Sequence, residues 1–172
     1  DLEVVALNYG LIHAKTSDID EEQPMLSFDL PNEINDDSWV TADIMLGTAD
    51  NPINTIYGLA FSFTYNNSLI DPNSITFSFD ETWLSNEEYL LFTKNFDTQG
   101  RTDLAYVRNN TNDTNGFWKI GTVQFYIVPN AGKNTDETLQ VGANNAFMMT
   151  SNGDMEAMNT ETSQAELCLL YT

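Results

Sequence analysis

Alternation of apolar and polar residues with a period of two restricts the fold of this chain more than any other feature. Val40, Ala42, Ile44 and Leu46 alternate with Thr41 and Asp43, which puts the two sets on opposite faces of an extended strand. The same period recurs in Leu59, Phe61, Phe63 and Tyr65, in Ile75, Phe77 and Phe79, and in Val123, Phe125 and Ile127. Leu26, Phe28 and Leu30 give a shorter case, and Leu167 and Leu169 close the chain. Each segment reads as a half-buried antiparallel strand with one apolar and one polar face. Turn chemistry separates them: Leu30-Pro31-Asn32, Asn51-Pro52, Asp71-Pro72, Asn115-Gly116 and Asn152-Gly153. No segment sustains a 3.6-residue period. The nearest runs from Trp83 to Phe92, where Asn86, Glu87 and Glu88 are placed to open one helical turn. Roughly nine or ten strands at this spacing predict an all-β sandwich. No repeat or linker interrupts the pattern, so residues 1–172 read as a single domain with an acidic loop over 10–24.

Composition narrows the function. Of 172 residues, 6 are Lys or Arg and 26 are Asp or Glu, a formal net charge of −20. Hydrophobic residues make up 41% and aromatics 12%, enough to build a core rather than a disordered acidic tail. Without a basic patch to release counterions, such a surface repels nucleic acid and anionic lipid. No apolar run approaches the ~20 residues that span a bilayer. The chain begins without Met and without a basic start followed by an apolar stretch, and reads as a mature or excised segment of a larger protein. One cysteine, Cys168, allows no internal disulfide, and one histidine, His13, leaves little imidazole chemistry. The balance reflects missing bases more than added acids. It suits salty surroundings and an extracellular or cell-surface setting.

A set of spaced motifs goes further. Asp-Ile-Met-Leu-Gly (43–47) precedes Pro-Ile-Asn-Thr-Ile-Tyr-Gly-Leu-Ala-Phe-Ser (52–62) and Tyr-Asn-Asn-Ser-Leu-Ile-Asp (65–71). Thr-Trp-Leu (82–84), Asp-Leu-Ala-Tyr-Val-Arg (103–108), Ile-Gly-Thr-Val-Gln-Phe (120–125) and Thr-Ser-Asn-Gly-Asp (150–154) follow. Together they resemble the cohesin-like modules of large secreted and cell-surface proteins of the Bacteroidota. The resemblance implies a jelly-roll β-sandwich of about nine strands, related to some carbohydrate-binding modules. It implies a monomeric, non-catalytic module of adhesion or assembly that binds a protein partner, dockerin-like or another surface protein. The alternatives are a carbohydrate-binding module for a polysaccharide or surface glycan, and a spacer.

Candidate site residues follow from side-chain chemistry. Ca²⁺ takes six to eight oxygen ligands that sandwich loops can supply. Asp18 and Asp20, beside Glu21 and Glu22, form one such cluster; Asp36 and Asp37, after Asn35, form a second; Asn152 and Asp154 form a third. Trp39 and Tyr126 fall on the polar phase of their strands and Trp118 follows Asn115-Gly116, so these three are the candidate ligand-binding aromatics. A coplanar row of them would suit a glycan, whereas a flat sheet face of mixed polarity would suit a protein. Gly58 inside a strand predicts a bulge or a close backbone approach. Arg108 is expected to anchor a loop through a carboxylate. Trp83 and Cys168 read as packing residues. Paired acids are too common here to single out a glycosidase site, and no nucleophile-elbow motif accompanies His13.

Overall fold

The register between two long strands organises the molecule. Ser38–Leu46 runs antiparallel to Trp118–Ile127, pairing Trp39 with Tyr126 at one end and Leu46 with Trp118 at the other. The alternation read from the sequence sends Val40, Ala42, Ile44 and Leu46 inward beside Val123, Phe125 and Ile127, all nearly or fully buried. Burying each of the larger side chains in this set contributes roughly 1.5–3 kcal/mol, which is why the period fixes the strand's face. A bulge between Lys119 and Gly121 shifts the register near the Trp118 end.

The computed structural model describes residues 23–85, 88–110, 112–129 and 138–168. In chain order the strands are β1 (Met25–Asp29), β2 (Ile34–Asn35), β3 (Ser38–Leu46), β4 (Ile53–Ile56) and β5 (Gly58–Tyr65). Next come β6 (Thr76–Ser78), β7 (Tyr89–Phe96), β8 (Arg101–Arg108), β9 (Thr114–Gly116) and β10 (Trp118–Ile127). The last are β11 (Leu139–Met149), β12 (Met155–Ala157), β13 (Asn159–Thr160), β14 (Ser163–Ala165) and β15 (Leu167–Cys168). Two sheets face each other. One has the order β13-β1-β3-β10-β6 and the other β12-β11-β5-β8-β7, with β14 also pairing β11. Seven of these strands have five residues or more; of the shorter ones, β6, β12, β13 and β14 lie at the edges of the two sheets, while β2 with β15 and β4 with β9 form two separate two-stranded pairs.

Between the sheets lies one core. Phe28 meets Phe61 and Phe63 edge-on at 6.1 and 5.1 Å, and Phe63 also meets Phe77 at 5.7 Å and Phe125 at 6.4 Å. Such edge and tilted contacts are favoured by the ring quadrupoles. A second aromatic group, Phe79, Tyr89 and Tyr106, closes the other end of the core.

Local predictions fare unevenly. Asp71 caps the short 3₁₀ turn Pro72–Ser74, its carboxylate accepting from the Asn73 backbone N–H at 2.9 Å. Thr150 to Asp154 makes the expected tight turn between β11 and β12, with Gly153 at φ 89°. Gly58 marks a close approach: a Cβ there would sit 2.9 Å from the Tyr106 carbonyl oxygen. Asn115-Gly116, by contrast, is not a turn. It lies within β9, which pairs with β4, and glycine stands there because a Cβ would fall 2.4 Å from the Trp83 ring. Asn86 and Glu87, where one helical turn is expected to open, lie outside the described residues; beyond them Tyr89–Phe96 is a strand paired along its whole length with β8. Arg108 is a buried anchor as expected. Among the described residues, however, its guanidinium donates to the Leu84 carbonyl at 2.7 Å and to the Asn110 side-chain oxygen at 3.5 Å rather than to a carboxylate. A carbonyl satisfies the guanidinium N–H without burying a second ion.

Candidate functional site

Outer-face residues of the six-stranded sheet can be read directly from the registers. Residues opposite one another on a given face form rows across the strands. Met155 pairs with Met149, Met149 with Gly58, Gly58 with Val107 and Val107 with Leu90. One step along, Ala157 pairs with Phe147, Phe147 with Ala60, Ala60 with Ala105 and Ala105 with Phe92. These two adjacent rows, crossing five strands, form a band about 19 Å wide at the usual strand spacing of ~4.8 Å. Their members are apolar or glycine, and Leu90, Phe92 and Met155 are 51%, 63% and 65% exposed. Small residues in the middle keep the band flat; a Cβ on Gly58 would lie 3.4 Å from Val107 Cγ2 and 3.5 Å from Met149 Cε.

A polar border runs along one side. The next row is Asn144, Ser62, Asp103 and Lys94, with the Ser62 hydroxyl donating to Asp103 Oδ1 at 2.8 Å. Arg101 lies 3.1 Å from the same carboxylate. Lys94 and Arg101 also stand 5.0 and 4.3 Å from the centre of the Phe96 ring, a cation–π arrangement. Two of the chain's six bases thus border this one face. An apolar centre with a charged, hydrogen-bonded rim is the anatomy of a protein interface.

The aromatics singled out from sequence lie on the other sheet. Trp39 and Tyr126 come together, their ring centres 5.4 Å apart but tilted by 56°. Asp37 stands with them, accepting a hydrogen bond from the Tyr126 hydroxyl; this bond, with burial secondary, pushes the Tyr126 phenol above its ordinary value. Trp118 does not join the pair. It sits eight residues away along β10, about 26 Å at the rise of a strand, beside Phe117 at 6.1 Å. No coplanar row of the three exists. Trp118 is 56% exposed and has φ 76°, a left-handed conformation that costs a bulky residue on the order of 1–3 kcal/mol.

Of the carboxylates proposed for Ca²⁺, Asp18 and Asp20 lie outside the described residues, as does His13. Asp36 and Asp37 occupy the bend between β2 and β3, with Asp37 at φ 54°. Among the described residues no group of three or more His, Cys, Asp or Glu side chains is placed to hold a metal ion. The sequence reading missed Leu90, Phe92, Phe147, Met149 and Met155. Their signal was present but easily lost: apolar residues on both phases of β7 and β11 blur the period of two.

No protein-family model matches the chain, and no curated protein matches it in sequence. Solved structures do match it in shape. A cohesin module from a family 33 glycoside hydrolase of Clostridium perfringens superposes with a TM-score of 0.65 at 13% identity, covering 86% of this chain and 98% of that one. The cohesin–dockerin complex Coh-OlpC-Doc435 from Clostridium thermocellum gives 0.65 at 12% identity, over 92% and 99%. The type II cohesin A11 from Bacteroides cellulosolvens gives 0.63 at 12% identity, over 84% and 99%. The chain therefore has the cohesin-like jelly-roll β-sandwich fold.

Proposed function

We propose that this chain is a non-catalytic binding module that docks a protein partner on the outer face of its six-stranded sheet, at the cell surface or outside the cell. The carrying observation is the two-row apolar band from Met155 and Ala157 to Leu90 and Phe92, bordered by Asp103, Lys94 and Arg101. A band this flat offers a partner helix or sheet a continuous contact surface, and its large exposed side chains are the anchors from which binding energy is drawn. The fold supports the reading, because several similar cohesins were solved bound to dockerins. A dockerin-like module is the partner this likeness favours. The base-poor, acidic surface supports the extracellular setting.

Leu90→Lys with Phe92→Glu tests the reading. Both side chains are more than half exposed, so the folded state loses no more than about 0.5 kcal/mol, whereas partner affinity falls by about thirtyfold or more. Surface plasmon resonance against the dockerin modules encoded by the same genome reads that loss.

A further inference from the structure

At the opposite sheet a groove of about 570 Å³ opens beside Trp118. It is separate from the protein-docking face and independent of it. Its lining includes Trp118 at the start of β10, Met45 of β3 and Asp29 of β1, with Asn32, Glu161 and Gln164 from the flanking segments. The far wall is held in place. β13 pairs with β1, the Glu161 backbone N–H donates to the Leu26 carbonyl at 3.2 Å, and the Ser163 hydroxyl donates to the Phe28 carbonyl. Beyond it β14 pairs with β11, so this wall ties one sheet to the other.

We propose that this groove binds an uncharged saccharide, with Trp118 as the stacking platform. Four features converge on that ligand class. The volume falls within the range of small-molecule sites, ~300–1,000 Å³. Trp118 is exposed on a left-handed backbone, a conformation that persists where the surroundings over-determine it and that is concentrated at binding sites. The amides of Asn32 and Gln164 supply both donors and acceptors, and the carboxylates of Asp29 and Glu161 accept from hydroxyls. Among the described residues neither carboxylate has an ion-pair partner, and nearby Lys119 is held 2.7 Å from Asp43. Two unpaired carboxylates disfavour an anionic glycan. Planar amides around a single indole, rather than an aromatic cage, favour a sugar ring over a cationic peptide.

Isothermal titration and tryptophan fluorescence with neutral hexasaccharides of β-1,4-glucose, β-1,4-xylose, β-1,4-mannose and α-1,4-glucose test the assignment. At least one is expected to bind with quenching or a blue shift. Trp118→Ala is expected to weaken that binding about tenfold or more, and Trp39→Ala to leave it within about twofold. Asn32→Ala with Gln164→Ala weakens it without removing the indole, which separates lost hydrogen bonds from any disturbance at position 118. Binding is expected to be unchanged by salt. Absence of binding by all four probes at millimolar concentration overturns the proposal. So does equal binding by Trp118→Ala, preference for polygalacturonate, or a site that takes oligolysine and releases it with salt.

Discussion

Tyr106 and Arg108 meet at a single acceptor. The Tyr106 hydroxyl and the Arg108 guanidinium donate to the Leu84 carbonyl at 3.1 and 2.7 Å, all within the buried end of the sandwich. This pair ties the segment around Trp83 and Leu84 to β8. Tyr106→Phe leaves the carbonyl bonded to Arg108, so the expected cost is about 1 kcal/mol rather than that of an orphaned acceptor. Burial is the leading cause that pushes the phenols of Tyr65, Tyr89 and Tyr106 above their ordinary value. The unfolded chain then releases these protons first as pH rises, and stability declines from about pH 10, the unperturbed phenol value, upward. Urea unfolding between pH 8 and 11 is expected to show a falling midpoint, with a shallower fall in Tyr106→Phe. A midpoint that holds steady to pH 11 contradicts this account.

Among the elements, β3, β5 and β10 were legible in advance because one face carries large apolar residues and the other small or polar ones, so the period of two stands clear. β7 and β11 were not. Leu90, Leu91 and Phe92 occupy both phases of one strand, and Phe147, Met148 and Met149 both phases of the other. A strand that buries one face in the core and offers the other to a partner loses the alternation that would identify it. The apolar band is therefore hidden from the sequence pattern by the same physical feature that makes it a candidate docking surface. Trp39 and Tyr126 were visible because an aromatic on a polar phase stands out, and Trp118 because it follows Asn115-Gly116; that Trp39 and Tyr126 meet while Trp118 lies at the far end of β10 depends on register, which composition does not carry. β9 gives the element-scale prediction. Gly116→Ala drives a methyl into the Trp83 ring at 2.4 Å, and overpacking of this kind costs about 1–3 kcal/mol. Thermal denaturation is expected to show a lower melting temperature, and an unchanged one would mean that the contact yields freely.

For the molecule as a whole, a net charge of −20 with only six bases leaves the acids largely uncompensated. Self-repulsion of this sort destabilises the compact state. Salt shortens its range, from ~8 Å at physiological strength to ~3 Å at 1 M, so the melting temperature is expected to rise from low to molar NaCl. A flat profile would show that the repulsion is already relieved by the arrangement of the charges. The two sheets divide the work on this account: the five-stranded sheet carries the Trp118 groove, and the six-stranded sheet carries the band that meets a protein. The most direct measurement of that central claim compares three baits in quantitative affinity capture from the secreted proteins of the organism that encodes the chain. They are the wild type, the Leu90→Lys/Phe92→Glu variant, and a variant of matched charge on the other sheet, Thr41→Lys/Gln124→Glu, at the exposed pair bonded across β3 and β10. The account predicts a stoichiometric protein partner held by the wild type and the second variant and lost by the first; equal capture by all three baits, or loss only with the Thr41/Gln124 variant, would contradict it.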